Sequence, residues 1–492
     1  MAFGNTFLRY KENRRYQTMD MEVRDRIRAY IEAHTDEMIA DTAALCRIDS
    51  VKGEPEDGMP YGKGPKEALM AAKALCERYG FSTKEYADRV IAADMNRGER
   101  CLDILAHMDV VAPGDGWTKT APFEPIVEDG MIIGRGSSDD KGPAVAALYA
   151  MRAVKELGLP VTKNCRLVLG SDEECGSSDI PYYYAVEPEA PMTFSPDAEF
   201  PLINVEKGQF RGELTAAFEH RSESDRRLIS FESGDTINIV PGKAAARVAG
   251  FTEEEIRTAV NTVMNEIDAD YELNFEYDEE NLETVISVSG SPAHASLPEN
   301  GVNAGVIALR LLSLLPFDDE AVRKAFQEMS ALFPYADHHG SKLTIDIHDD
   351  LSGYTSVSPD IFRADQSGLY LKFDSRTSVA ATEENTILAA KAEAEKHGFA
   401  FSYEFKPAHA VPEDCDFIRS LLAAYTLVTG KEGRCVAIGG GTYVHELKNG
   451  VAFGAVGETT DTHMHGPDEF MPVVELQDAA VIYALSILDI CG

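Results

Sequence analysis

The chain changes texture twice. Up to about Lys207, apolar runs of strand length alternate with helix-length stretches; from there to about Pro407, short segments of alternating polarity dominate; beyond Pro407 the first texture resumes. A pattern that resumes belongs to the layers it left, so the middle block reads as an insertion into one discontinuous domain. At 492 residues the chain is in any case too long for one ordinary core. The expected division is 1–207 with 409–492 as the outer domain and 208–408 as the insert.

In the outer segments, Met21 to Leu45 and Pro65 to Tyr79 read as helices, Cys101 to Ala106 as a strand, and Ala144 to Leu157 as a helix opened by Pro143. Strands at Cys165 to Gly170 and Met192 to Ser195 follow, and helix Asp416 to Thr429, strand Ala452 to Val456 and helix Val474 to Leu488 close the chain. This alternation predicts an α/β fold with a mostly parallel sheet and helices on both faces. The insert reads as α+β. Its strands are Leu214 to Phe218, Ala244 to Val248, Leu273 to Tyr277, Thr284 to Ser289, Leu343 to Ile347 and Leu369 to Asp374; its helices are Thr252 to Glu266, Gly305 to Leu315, Glu320 to Leu332 and Thr386 to His397.

A formal net charge of −37 argues against nucleic acid or an anionic membrane as partner, because phosphate binding needs clustered Lys and Arg. Hydrophobic residues at 44% with mixed charge fit a soluble globular protein. Eight cysteines occur without a CxxC pair, several inside apolar runs, which predicts buried free thiols in a reducing cytoplasm. No stretch approaches the roughly 18 apolar residues of a membrane span. Met1 to Gln17 is polar and aromatic, without the apolar core of a signal peptide, and Met19 or Met21 offers an alternative start.

Ligand-type residues gather where core elements give way to loops, which is where α/β sheets carry their sites. Glu173-Glu174 follows Leu167-Val168-Leu169, and adjacent residues at a strand end point in different directions. One carboxylate can bind a metal while its neighbour moves a proton. His107 and Asp109 follow Ile104-Leu105-Ala106; if the strand continues they share a face, and Asp109 is placed to accept the second ring N–H of His107. Gly134 to Pro143 is a glycine-rich loop entering a helix, without the order of a phosphate loop. There Asp139 reads either as a helix cap or as a carboxylate held rigidly enough to bridge two ions. Asp197 follows Pro196 at another strand end, and His463 and His465 precede the last helix. Most other histidines, His34, His220, His338, His339, His348 and His397, lie in polar segments that suit solvated surface. Together these residues supply ligands for two zinc-like ions with a general base beside them.

In this order the motifs resemble those of the M20 metallopeptidases, most closely the PepV-like di-zinc dipeptidases. The pieces that carry the resemblance are Ala106 to Pro113, Gly134 to Pro143, Ser171 to Gly176, Pro196 to Pro201, Ile237 to Pro241, Gly290 to Ser296, and His465 ahead of Glu469. The resemblance implies a zinc-peptidase-like catalytic domain with an inserted lid. It implies that His107 and Asp197 hold one Zn2+, Glu174 and His465 the other, and that Asp139 bridges them, with Mn2+ or Co2+ as substitutes. Glu173 would be the general base, and Asp109 would orient His107. His294 would stabilise the oxyanion; Asn238, Arg376 and the loop at Gly440 would grip the substrate. His463 competes with His465, and the spacing to Glu469 favours His465. The implied reaction is hydrolysis of dipeptides with a free C-terminal carboxylate. An insert about twice the size of the simpler lid of the family implies a monomer that needs no partner histidine. Other readings are an N-acyl amino acid deacylase or carboxypeptidase of the same type, a catalytically silent binding protein, and a metal-dependent phosphoesterase. The last would want more phosphate-clamping cations than Arg135 and Lys141.

Overall fold

The computed structural model describes residues 21–218 and 225–492. The segment Met1 to Gln17, the start at Met19 and His220 lie outside the described residues. Two compact units emerge. One comprises the chain up to Val205 together with Ala410–Val436 and Gly441–Gly492; the other comprises Glu206–His409 and Ala437–Gly440.

The first unit carries a mixed sheet with a parallel centre. Strand Arg100–His107 lies between Asn164–Gly170 and Met192–Ser195, parallel to both, and Gly450–Ala452 continues the parallel run beside Met192–Ser195. Val90–Asp94 and Ser82–Tyr86 extend the sheet antiparallel at one edge. Because the central strands point the same way, the chain leaves them on one side of the sheet at His107, Gly170 and Ser195. Helix Lys141–Glu156 packs against this sheet and against Val473–Cys491. Every residue from Lys141 to Val154 is buried, which is more than an amphipathic stripe. At about 1.5–3 kcal/mol per buried Val, Leu or Met, this helix fixes the loop that opens it.

The second unit is built on an eight-stranded sheet whose paired neighbours are antiparallel. Glu253–Glu266, Ala304–Leu314 and Glu320–Leu332 add helices to a separate apolar core. Helix Glu253–Glu266 starts as its sequence demands: the Thr252 side chain accepts from the Glu255 N–H and the Glu255 carboxylate from the Thr252 N–H.

Three expected elements differ. Leu343 to Ile347 is no strand: the N–H groups of Leu343 and Ile345 both bond to the Gly340 carbonyl, and Thr344 is left-handed at φ 61°. The helix expected from Thr386 begins as a π-helix at Glu383–Leu388 before Ala389–Lys396. The strand expected at Ala452 to Val456 is Gly450–Ala452. Beyond it the chain follows the Asp197 loop, with Phe453 N–H bonded to the Ser195 carbonyl and Ala455 N–H to that of Ala198. A Cβ on Gly454 would lie 2.4 Å from the Ala198 oxygen, so only glycine fits there. Among the described residues, no helix is long and apolar enough to cross a membrane.

Candidate metal centre

The strand Arg100–His107 delivers a fully buried imidazole. His107 Nε2 lies 2.9 Å from Asp139 Oδ1 and 3.6 Å from Asp197 Oδ2. On the other side, His465 Nε2 lies 2.9 Å from Asp139 Oδ2 and 3.3 Å from Glu174 Oε2. The two oxygens of Asp139 thus face one imidazole each. Ligand atoms of His107, Asp139 and Glu174 fall within 4.8 Å of one another, as do those of His107, Glu173 and Asp197. His463, the competing histidine, has its ring edge-on to Phe470 at 5.7 Å.

The expected partner of His107, Asp109, lies beside its ring. The strand itself ends at His107, two residues before Asp109. His107 Nδ1 lies 3.0 Å from the Asp109 carbonyl oxygen and 3.5 Å from the carboxylate. That carboxylate also accepts from the N–H of Glu173 and of Glu174, each at 3.1 Å. One acid therefore steadies the histidine strand and the paired glutamates together.

Two further buried acids hold the same loop. Asp179 accepts from the N–H of Ser171 and Asp172 and from the Tyr443 hydroxyl. Asp172 accepts from Ser178 and from Lys52 Nζ. The glutamates are thus carried on a short 3-10 turn, Glu173–Cys175, pinned from three directions. The helix cap at the neighbouring loop is Asp140, not Asp139, and the Asp140 carboxylate accepts the His107 N–H at 3.1 Å. This leaves both Asp139 oxygens to the imidazoles.

Charge crowding explains the electrostatics. Burial, reinforced by Asp197, Glu174 and Asp139, pushes the Glu173 carboxyl well above the usual range. Burial and the Asp139 charge raise Glu174 and Asp197 in the same direction. Burial opposes protonation of His107, but hydrogen bonds to Asp109, Asp139 and Asp197 overcome it. Hydrogen bonds to Asp139 and Glu174 push His465 up to about 10. Four carboxylates this close repel one another unless cations lie among them. Two divalent ions would balance Asp139, Glu173, Glu174 and Asp197, leaving the imidazoles neutral and able to ligate. The donor set of imidazole and carboxylate fits such ions.

The other expected residues sit in the second unit. Asn238 is left-handed at φ 76°, and its N–H donates to Asp360 Oδ2 at 2.8 Å. Its carbonyl accepts from the Ala295 N–H, which joins its segment to that of His294. His294 Nδ1 accepts from the Ser296 N–H at 3.2 Å and lies 2.7 Å from the Ser296 hydroxyl. Burial and the nearby Arg376 charge lower its pKa. With Nδ1 taken by the Ser296 N–H, a ring proton on Nε2 is left to donate elsewhere. Arg376 donates through Nε to Asp374 at 2.7 Å and through Nη1 to the Gly439 carbonyl at 2.6 Å, next to Gly440. Its Nη2 group keeps donors for a further acceptor. Asp374 and Asp360 are not among the expected residues, although an acid two residues before an arginine on one strand shares its face.

The architecture and the site can be set beside known proteins. The model of peptidase family M20/M25/M40 matches residues 104–489. The chain belongs to that family. It is accordingly a hydrolase of peptide bonds. A Beta-Ala-Xaa dipeptidase of Lactobacillus delbrueckii subsp. lactis is 34% identical over 465 residues, covering 93% of this chain and 97% of its own. Human carnosine dipeptidase 1 shares the fold with a TM-score of 0.56 at 14% identity, over 95% of this chain and 99% of its own. The aminoacylhistidine dipeptidase of Vibrio alginolyticus does so with a TM-score of 0.56 at 12% identity, over 92% and 96%. The likeness of fold thus extends over nearly the whole of each chain.

Proposed function

We propose that the protein is a di-zinc dipeptidase of the reducing cytoplasm that works as a monomer on dipeptides with a free C-terminal carboxylate. The observation that carries this reading is Asp139, whose two oxygens face His107 and His465 at 2.9 Å each, with Glu173 beside them. His107 and Asp197 would hold one ion, Glu174 and His465 the other, and Asp139 both. Bound there, two divalent ions supply a water nucleophile at neutral pH and polarise the scissile carbonyl. Glu173 takes the proton of the attacking water and passes it to the leaving amine. His294 donates its Nε2 proton to the oxygen on which charge develops. Arg376 grips the C-terminal carboxylate with the donors that Asp374 and Gly439 leave over, Asn238 aligns the peptide, and the Gly440 backbone lies beside that arginine's anchor.

The names of the relatives support the dipeptide as substrate. The test is a hydrolysis screen of dipeptides, tripeptides and N-acetyl amino acids with Zn2+, Mn2+ and Co2+. Cleavage of dipeptides, lost when their C-terminus is amidated, is the expected result. Preference for N-acetyl amino acids would replace this reading with a deacylase, and release of single residues from long peptides would replace it with a carboxypeptidase.

A further inference from the structure

The carboxylate of Glu469 is fully buried and makes more hydrogen bonds than any ligand-type residue of the centre, yet it belongs to no ligand group. Its Oε1 accepts from the Ser138 N–H at 2.9 Å, the Ser138 hydroxyl at 3.0 Å and the Asp139 N–H at 3.2 Å. Its Oε2 accepts from Arg135 Nη1 at 2.6 Å and from the Gly136 N–H at 3.2 Å. Its own carbonyl accepts the Gly134 N–H at 2.8 Å. Every one of these donors belongs to the loop that presents Asp139.

The same residue ends the loop that presents His465. That loop is held in an uncommon shape: His463, His465 and Asp468 all have positive φ, at 56°, 63° and 55°. Such a shape persists only where surrounding bonds over-determine it. Arg135 supplies one such bond from the Asp139 loop, donating through Nη2 to the Gly466 carbonyl at 3.2 Å. Antiparallel pairing of Phe470 with Ile133 adds the backbone register. The Arg135–Glu469 pair therefore brackets Asp139 on one loop and His465 on the other.

We infer that Glu469 is a positioning residue that locks the Asp139 and His465 loops into one body, so that both metal ions are bound by a single preformed unit. The inference rests on the assignment of Asp139 and His465 as ligands. Its consequence is that disturbing Glu469 weakens both ions together, although it touches neither. A residue that merely filled the core would lower stability and leave the affinity of the folded protein alone.

The test is a titration of the full, metal-stripped chain with Mn2+, followed by the signal of free Mn2+, and with Co2+, followed by its visible absorption. Glu469→Gln removes the charge and turns one acceptor oxygen into a donor. Both affinities are expected to fall about 10–100-fold, with a changed Co2+ spectrum, in a variant whose circular dichroism is unaltered. Ser138→Ala, a milder change that removes one of the bonds to Oε1, is expected to weaken both ions a few-fold in the same direction, and it decides the matter if Glu469→Gln does not fold. Unchanged affinities in the folded variants, or loss of one ion alone, overturns the inference. Asp139→Ala is run beside them. Full binding of both ions by that variant would remove the ligand assignment itself, whereas loss there with no change in Glu469→Gln and Ser138→Ala would remove the locking role alone.

Discussion

The acids of the first unit and those of the second do different work. Asp109, Asp172 and Asp179 are buried beneath Glu173-Glu174 and are saturated by backbone N–H groups, hydroxyls and a lysine. They hold charge in place next to more charge. In the second unit, Asp360 accepts from the Asn238 N–H and the Ser358 hydroxyl, Asp374 from Arg376 and Arg211, and His294 is exposed and held by its near neighbour Ser296. The first cluster is over-determined, which suits the proposed metal ligands, since such ligands tolerate little displacement. Under the proposed function the second cluster meets a substrate that must enter and leave, and Arg376 keeps its Nη2 donors for it.

The contrast is broken most directly at the paired glutamates. Glu173→Gln should keep both ions and lose turnover by about a thousand-fold or more, because it removes only the proton carrier. Glu174→Gln should instead weaken metal binding. Metal analysis beside steady-state rates checks both, and an exchange of the two phenotypes would exchange the roles.

Next in size is His294. Replacing it with alanine should lower kcat about 10²–10³-fold with the metals intact. Mixing His294→Ala chains with Glu173→Ala chains should restore no activity if each site uses its own histidine. Recovery of rate on mixing would mean that the second cluster serves a neighbouring molecule.

Arg376→Lys keeps the charge and loses the planar fork. We expect KM for dipeptides to rise about tenfold or more, with a smaller change in kcat. C-terminally amidated dipeptides, poor substrates already, should be little affected. An equal loss on acid and amide would show that Arg376 does not meet the carboxylate.

The smallest effect sharpens the comparison through pH. Burial pushes the Asp360 carboxyl up to about 8. The folded state therefore holds a proton that the unfolded state has released, and stability falls as pH rises from about 4 to about 8. Asp360→Asn keeps an acceptor for the Asn238 N–H and has nothing to ionise. It should gain about 1 kcal/mol or more over the parent at pH 8 and little at pH 4.5. Chemical unfolding at the two pH values measures this; an equal difference at both would show that Asp360 is not held protonated.

How much of this could be read from the chain depends on the distance over which each feature is decided. Helices Glu320–Leu332 and Asp416–Thr429 follow from local periodicity and match the expected spans. Strand ends at His107, Gly170 and Ser195 were legible because apolar runs stop there. The antiparallel edge at Val90–Asp94 was not, since two short strands of five residues carry too little periodicity to declare themselves. Nor was the partner of Glu469, which lies more than three hundred residues earlier in the chain. The bonds from the Asp109 carboxylate to the Glu173 and Glu174 N–H groups were not legible either, because they join two loops more than sixty residues apart.

The four residues Ala437–Gly440 belong to the second unit although they come from the C-terminal segment. Ile438 accepts the Lys207 N–H, and Gly439 accepts Arg376. The inserted unit is therefore not a cassette. A gene fragment spanning 206–409 would express the strands of that unit without the carbonyl that aims its arginine. Transplanting it onto another outer domain would carry Arg376 across but leave its anchoring carbonyl behind, unless the short glycine-rich thread travelled with it. Recombination between relatives should for that reason respect two separated stretches of sequence at once, and chimaeras that exchange only one should fold yet handle their substrates poorly.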